Sequence, residues 1–128
     1  MGLLYHVWFS TKGRKVAFDG ELRTEMNRIL VGIARDKGIR LVEIELVADH
    51  AHMLVEVDKR QNLSDVMKQL KGASARYIFL KYPELKIDMK SDSFWQKGFG
   101  QRWVPRDQID VVRGYIRTQA ERPYRRAS

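Results

Sequence analysis

The 128-residue chain contains no cysteine. Disulfides, thiolate-held zinc and thiol nucleophiles are therefore excluded. Histidine is scarce, at three, so a metal site or acid–base centre must combine a few imidazoles with carboxylate, amide and hydroxyl groups. A cation held by such a set would be a hard one. With three prolines and nine glycines there is no Pro-rich or Gly-rich linker. No run of about 18 apolar residues is present, and the N-terminus lacks a basic-then-apolar leader. These absences predict a cytoplasmic chain beginning near Met1, with no membrane partner. A phosphate-cradling Gly-rich loop followed by Lys and Ser or Thr is also missing, so no nucleotide cofactor is expected. The length is too small for a doubly wound nucleotide fold with a separate substrate domain or for an eight-stranded α/β barrel. A single domain over 1–128 is the expectation.

What is present is a sizeable core and an excess of one charge. Hydrophobic residues make up 44% and charged residues 31%, the balance of a globular domain. Lys and Arg number 24 against 16 Asp and Glu, a net +8 with a pI near 9.9. Such an excess favours polyanionic partners, nucleic acid ahead of an anionic membrane surface.

Leu3, Leu4, Tyr5, Val7, Trp8 and Phe9 form an apolar run that predicts a strand over 3–10. Leu22, Met26, Ile29, Leu30 and Ile33 recur at helical spacing, giving a helix over 20–37 that Gly38 stops. Residues 39–47 alternate as a half-buried strand, with Leu41, Glu43 and Glu45 facing away from Val42, Ile44 and Leu46. Residues 50–57 form a further strand, with His50, His52, Leu54 and Glu56 on one face. Asn62 or Ser64 can cap a helix that carries Leu63, Val66, Met67, Leu70, Tyr77 and Ile78 and runs to about 81. Residues 83–93 read as a loop, 94–104 as a strand and 107–121 as a last helix introduced by Pro105. The order strand-helix-strand-strand-helix-strand-helix is that of an α+β, ferredoxin-like (split βαβ, RRM-like) antiparallel sheet with helices packed on one face. Arg122, Pro123, Tyr124, Arg125 and Arg126 make a basic tail too polar to pack by itself.

Two pairs of residues stand out chemically. His50 and His52 are two apart, so a strand places both imidazoles on one face with Cα atoms about 6.5–7 Å apart, close enough to share a cation. The competing reading is a pair of ordinary edge-strand histidines. Tyr115 and Gln119 are four apart, one helical turn, beside a seam of Ile109, Val112 and Ile116. Packing is the bland alternative for that tyrosine. His6, in the first strand, suits a structural or DNA-contacting role. Arg14, Lys15, Lys68, Lys71, Arg76 and Arg102 are candidate phosphate contacts, and Trp95, Phe99 and Trp103 are candidate stacking surfaces for unpaired bases. A solvated face and ordinary core are the respective alternatives.

Four segments taken together carry a resemblance. They are Tyr5-His6-Val7-Trp8-Phe9-Ser10-Thr11-Lys12, Asp49-His50-Ala51-His52-Met53-Leu54-Val55, Lys71-Gly72-Ala73-Ser74-Ala75-Arg76 and Tyr115-Ile116-Arg117-Thr118-Gln119. In order and spacing, across nearly the whole chain, the sequence resembles the HUH single-tyrosine transposases of the insertion-sequence-200/605-like family. It departs from the family pattern at Ala51, small where a bulky apolar residue is usual, at Ala48, where proline is frequent, and through residues 98–103.

The resemblance implies a DNA transposase that cleaves and rejoins single-stranded DNA at element ends. Tyr115 would be the nucleophile, with a divalent ion, magnesium or manganese, held by His50, His52 and Gln119. A phenol is a weak nucleophile near neutral pH and must lose its proton before or during attack. Two imidazoles and an amide bring no charge, so such an ion would keep its own for the scissile phosphate. The implied 5′-phosphotyrosine conserves the phosphodiester energy. Also implied are single-stranded or hairpin DNA partners, a homodimer, and nucleoid association when bound to DNA. From other classes come two alternatives: a non-catalytic ferredoxin-like nucleic-acid-binding module, as in a domesticated transposase, and a small metal-binding regulator that would leave Tyr115 and Gln119 unexplained.

Overall fold

The computed structural model describes residues 2–121; the basic tail lies outside them. Strands β1 (Leu3–Ser10), β2 (Arg40–Val47), β3 (His50–Val57) and β4 (Gly100–Val104) form one sheet in the order β2-β3-β1-β4. Neighbours are antiparallel throughout. Helix α1 (Gly20–Asp36) connects β1 to β2, and β3 is inserted between them, which is the split βαβ arrangement. The expected α+β architecture is therefore the one observed. Gly38, at φ 67°, ends α1 as expected. Asn62 caps α2 (Leu63–Lys81) by accepting the Asp65 amide at 3.2 Å.

Pairing places Trp8 opposite His52 and Ser10 opposite His50 on β3, and His6 opposite Arg102 and Trp8 opposite Gly100 on β4. Side chains alternate along each strand, so Leu4, His6, Trp8, His50, His52, Leu54, Arg102 and Val104 share one face. The other face presents Val7, Phe9, Ala51, Met53 and Val55 to α1 and α2, where they meet Met26, Leu30, Val66, Met67 and Leu70 in the main core.

Five local expectations are corrected. The helices do not all pack on one face: α4 (Ile109–Arg117) lays Ile116, Ile109 and Val112 on Leu4, Leu54 and Val104, on the side opposite α1 and α2. Its stripe is matched by the apolar end of the second face, whose remainder is polar. In β2 the alternation slips at a bulge between Leu41 and Glu43. The extra residue lets Val42 join the α4 cluster while Leu41 and Ile44 stay with the main core. Within 83–93, Glu84–Met89 forms a short helix, α3, that buries Met89. One turn and a half is too short for periodicity to reveal.

The last strand is shorter than 94–104, because Gly98 at φ 83° breaks the run. Its first residues join the core: Phe94 and Trp95 are buried in an aromatic cluster with Phe9, Phe18 and Phe79. The final helix is likewise split, with 3-10 turns at Arg106–Gln108 and Thr118–Glu121 flanking α4.

Gly100 lies under the Trp8 indole, and a Cβ there would stand 2.1 Å from it. Glycine opposite an aromatic residue thus fixes the height of Trp8 above the sheet. Gly100→Val is expected to lower stability by about 1–3 kcal/mol and to displace Trp8, seen as an earlier urea midpoint and a shift in tryptophan emission. Unchanged values for both would contradict this packing.

Candidate active site at the polar end of the sheet

The polar end of the second face is built around three imidazoles. His50 and His52 have ring centroids 4.9 Å apart at 76°, so the expected sharing of one face holds geometrically. Each has a partner at Nδ1: Asp49 Oδ1 lies 3.3 Å from His50 Nδ1, and His6 Nε2 lies 3.1 Å from His52 Nδ1. Burial, then the neighbouring His50 and His6, pushes His52 down to about 3. His6 is lowered to about 4 by burial and then by Arg102. Both rings are thus neutral near pH 7, the form in which an imidazole donates a lone pair to a metal.

Two hollows adjoin this group. One, of about 460 Å³, is lined by His50, His52, Gln119, Trp8, Arg14 and Phe99, among others. The second, of about 490 Å³, is lined by His6, His52, Trp8, Arg102, Val111 and Tyr115, among others. Trp8 and His52 form the wall common to both. Tyr115 is 43% exposed and sets its ring edge-on to His6, with centroids 5.8 Å apart. Gln119, in the 3-10 turn after α4, donates Nε2 to the Tyr115 carbonyl at 3.2 Å. That bond leaves Oε1 as the amide's ligand atom. Glu43, just past the bulge, accepts from Arg113 Nε at 3.2 Å and Arg117 Nε at 2.9 Å, tying the tyrosine helix to the sheet.

Among the described residues no group of three or more His, Cys, Asp or Glu could hold a metal. The set that faces one hollow is instead two imidazoles and one carboxamide, His50, His52 and Gln119. Its chemistry, two neutral imidazoles and an amide oxygen, suits a divalent ion that keeps part of its water shell.

The cationic candidates separate by location. Arg14 and Arg102 are exposed and line the two hollows. Lys15 reaches the Met89 carbonyl at 3.4 Å. Lys71 is turned inward: its Nζ donates to the Gln96 carbonyl at 2.8 Å and to that of Gly98, and burial lowers its pKa. It pins the 96–98 segment at the edge of the first hollow. Lys68 and Arg76 are exposed on α2, which covers the opposite sheet face. Trp103 is 57% exposed on β4, with Tyr5 as its register partner, and so points away from the histidine face. Trp95 belongs to the core, its indole N–H bonded to Ser74 Oγ at 2.9 Å.

Sequence reasoning missed several contributors: Asp49 and His6 as partners of the paired histidines, Trp8 as shared wall, Lys97 as lining, and Glu43 as clamp. A signal existed for Trp8 and His6, which have one parity in β1. None existed for Glu43, since its position depends on the bulge.

The lowered histidines give a stability prediction for the metal-free protein. Folded values of about 4 and 3 lie below the ordinary 6.5, so between those limits the unfolded chain binds protons that the folded one does not. Stability is full above about 6.5 and falls as pH drops, by up to about 1.4 kcal/mol per pH unit for each ring. Urea melts from pH 7.5 to 5 are expected to show this slope and a shallower one in the His6→Gln/His52→Gln double variant. Equal slopes would contradict the burial of neutral rings.

The chain is similar to several known proteins. The family model "Transposase IS200 like" matches residues 1–119. The transposase for insertion sequence element IS200 of Salmonella typhimurium is 33% identical over 117 residues, covering 91% of this chain and 76% of that protein. The ISDra2 transposase TnpA of Deinococcus radiodurans is 31% identical over 120 residues, covering 94% and 86%. A crystal structure from Deinococcus radiodurans described as a transposase superposes with a TM-score of 0.75 at 30% identity, covering 93% of this chain and 92% of that one. A REP-associated tyrosine transposase bound to a REP hairpin shares the fold, with a TM-score of 0.65 at 11% identity over 91% of this chain and 66% of that one. With the match extending from the first strand through Gln119, the chain belongs to the IS200-like transposase family.

Proposed function

We propose that this transposase cleaves and rejoins single-stranded DNA at element ends through a 5′-phosphotyrosine on Tyr115, with magnesium or manganese held by His50, His52 and Gln119. The observation that carries this reading is the convergence of those three donors on one hollow, with Tyr115 one helical turn from Gln119 and beside the shared His52 wall. When bound there, the ion supplies Lewis acidity to the scissile phosphate and the departing 3′ oxygen. Tyr115 Oη forms the new bond to phosphorus, its proton passing to solvent or the leaving group. The 3′ oxygen departs with the electrons of the broken ester bond. Reversal by another 3′ hydroxyl restores the DNA linkage, so rejoining needs no nucleotide cofactor.

Arg14 and Arg102, at the two hollows, are suited to the flanking phosphates, with Trp8 and Phe99 as walls for bases. Lys15, Lys68, Lys71, Arg76 and Trp103 lie outside that path or are engaged with the protein. Hairpin DNA is the partner we infer, by extension from the fold neighbour described with a REP hairpin. A homodimer is the assembly we infer from the family resemblance, and β4, an edge strand of the sheet among the described residues, offers its outer side to a second copy. Among the described residues no helix is long and apolar enough to cross a membrane.

Labelled single-stranded DNA carrying the element's end, incubated with magnesium or manganese, is expected to give a denaturant-resistant adduct with the wild-type chain. Tyr115→Phe is expected to give none while still binding the DNA, and chelation to abolish the adduct in the wild type. An adduct with Tyr115→Phe would refute the nucleophile assignment. Binding without any adduct, under either metal, would favour the non-catalytic binding module.

A further inference from the structure

We propose that His6 is a positioning residue for the metal-binding face of this site: its Nε2 accepts the Nδ1 proton of His52, which keeps the lone pair of His52 Nε2 for the cation. The inference rests on the assignment of His50, His52 and Gln119 as the ligand set. His6 Nε2 and His52 Nδ1 are 3.1 Å apart, the ring centroids 5.3 Å apart and the planes 28° from each other. The rings therefore meet edge to edge through their nitrogens. His6 lies one pairing step from the Trp8–His52 pair on the same sheet face, a diagonal neighbour within reach.

A hydrogen bond between two neutral imidazoles contains one proton. If His6 Nε2 carries it, neutral His52 must hold its own proton on Nε2, and that nitrogen has no lone pair to give. If His52 Nδ1 carries it, Nε2 is a donor to a cation and His6 holds its proton on Nδ1. Ligating imidazoles generally fix their second nitrogen on a carboxylate, carbonyl or water. Asp49 occupies that place for His50, and an imidazole occupies it for His52. His6 itself lines the tyrosine hollow and not the one lined by His50 and Gln119, so it supports the ligand set from behind.

Nuclear magnetic resonance of the ¹⁵N-labelled wild-type chain saturated with magnesium tests the proton's place without a variant. The expected result is His52 protonated at Nδ1, with a scalar coupling across the hydrogen bond to His6 Nε2. A His52 proton on Nε2, or His6 as the donor, would overturn the proposal. Manganese affinity by electron paramagnetic resonance provides the second arm. His6→Phe is expected to weaken binding roughly 10–100-fold, while His6→Gln, whose amide oxygen can replace the acceptor, stays within a few-fold of wild type. Far-ultraviolet circular dichroism in chelator should show all three folded. Wild-type manganese affinity in His6→Phe, alongside a loss in His52→Ala, would overturn the role of His6 and leave the ligand set standing. Equal affinity in wild type and His52→Ala would remove the ligand set itself, and this proposal with it. Should His6→Phe not fold, the wild-type proton assignment decides.

Discussion

The antiparallel register of β1 against β3 is the constraint on which the rest of the structure depends. It sets His6 and Trp8 on the same side as His50 and His52 and turns Val7, Phe9, Ala51 and Met53 toward the main core. A slip of one residue would exchange these sets, burying imidazoles under α1 and α2 and exposing methyl groups at the site. The completely buried Val7, Ala51, Met53 and Val55 therefore hold the register that the chemistry uses. Core packing on one face is what assembles the polar group on the other.

That second face is divided along the strands. At one end Leu4, Leu54 and Val104 receive α4 through Ile116; toward the other, the same strands carry His6, His52 and Trp8. A helix docked on the apolar end extends its last turn over the polar end, which brings Tyr115 against His6 and places Gln119 at the first hollow. The β2 bulge contributes from the side, adding Val42 to the helix contact and aiming Glu43 at Arg113 and Arg117. Placement of the tyrosine thus follows from apolar burial, with charge pairs fixing its orientation.

Much of this was legible in the sequence because it lies within single elements. The two-residue spacing of His50 and His52 and the four-residue spacing of Tyr115 and Gln119 report a shared strand face and a shared helix side without any tertiary information. Periodicity does not report which side of a sheet a helix covers, and α4 lies on the face opposite the one expected. Nor could alternation foresee the β2 bulge, which obeys the competition between two cores for Val42. Lys71 and Trp95 misled for a related reason: a cation and an indole in a basic, aromatic-rich chain suggest DNA contacts, whereas here carbonyls of the 96–98 segment take the ammonium and Ser74 takes the indole N–H. Their partners are 21–27 residues distant in the chain, beyond the reach of local pattern.

The proposed chemistry turns on whether two imidazoles and one amide gather a single cation beside Tyr115. Anomalous diffraction from crystals grown with manganese tests this most directly. One peak within bonding distance of His50 Nε2, His52 Nε2 and Gln119 Oε1 is the result predicted; a peak elsewhere, or none at saturating manganese, would contradict it.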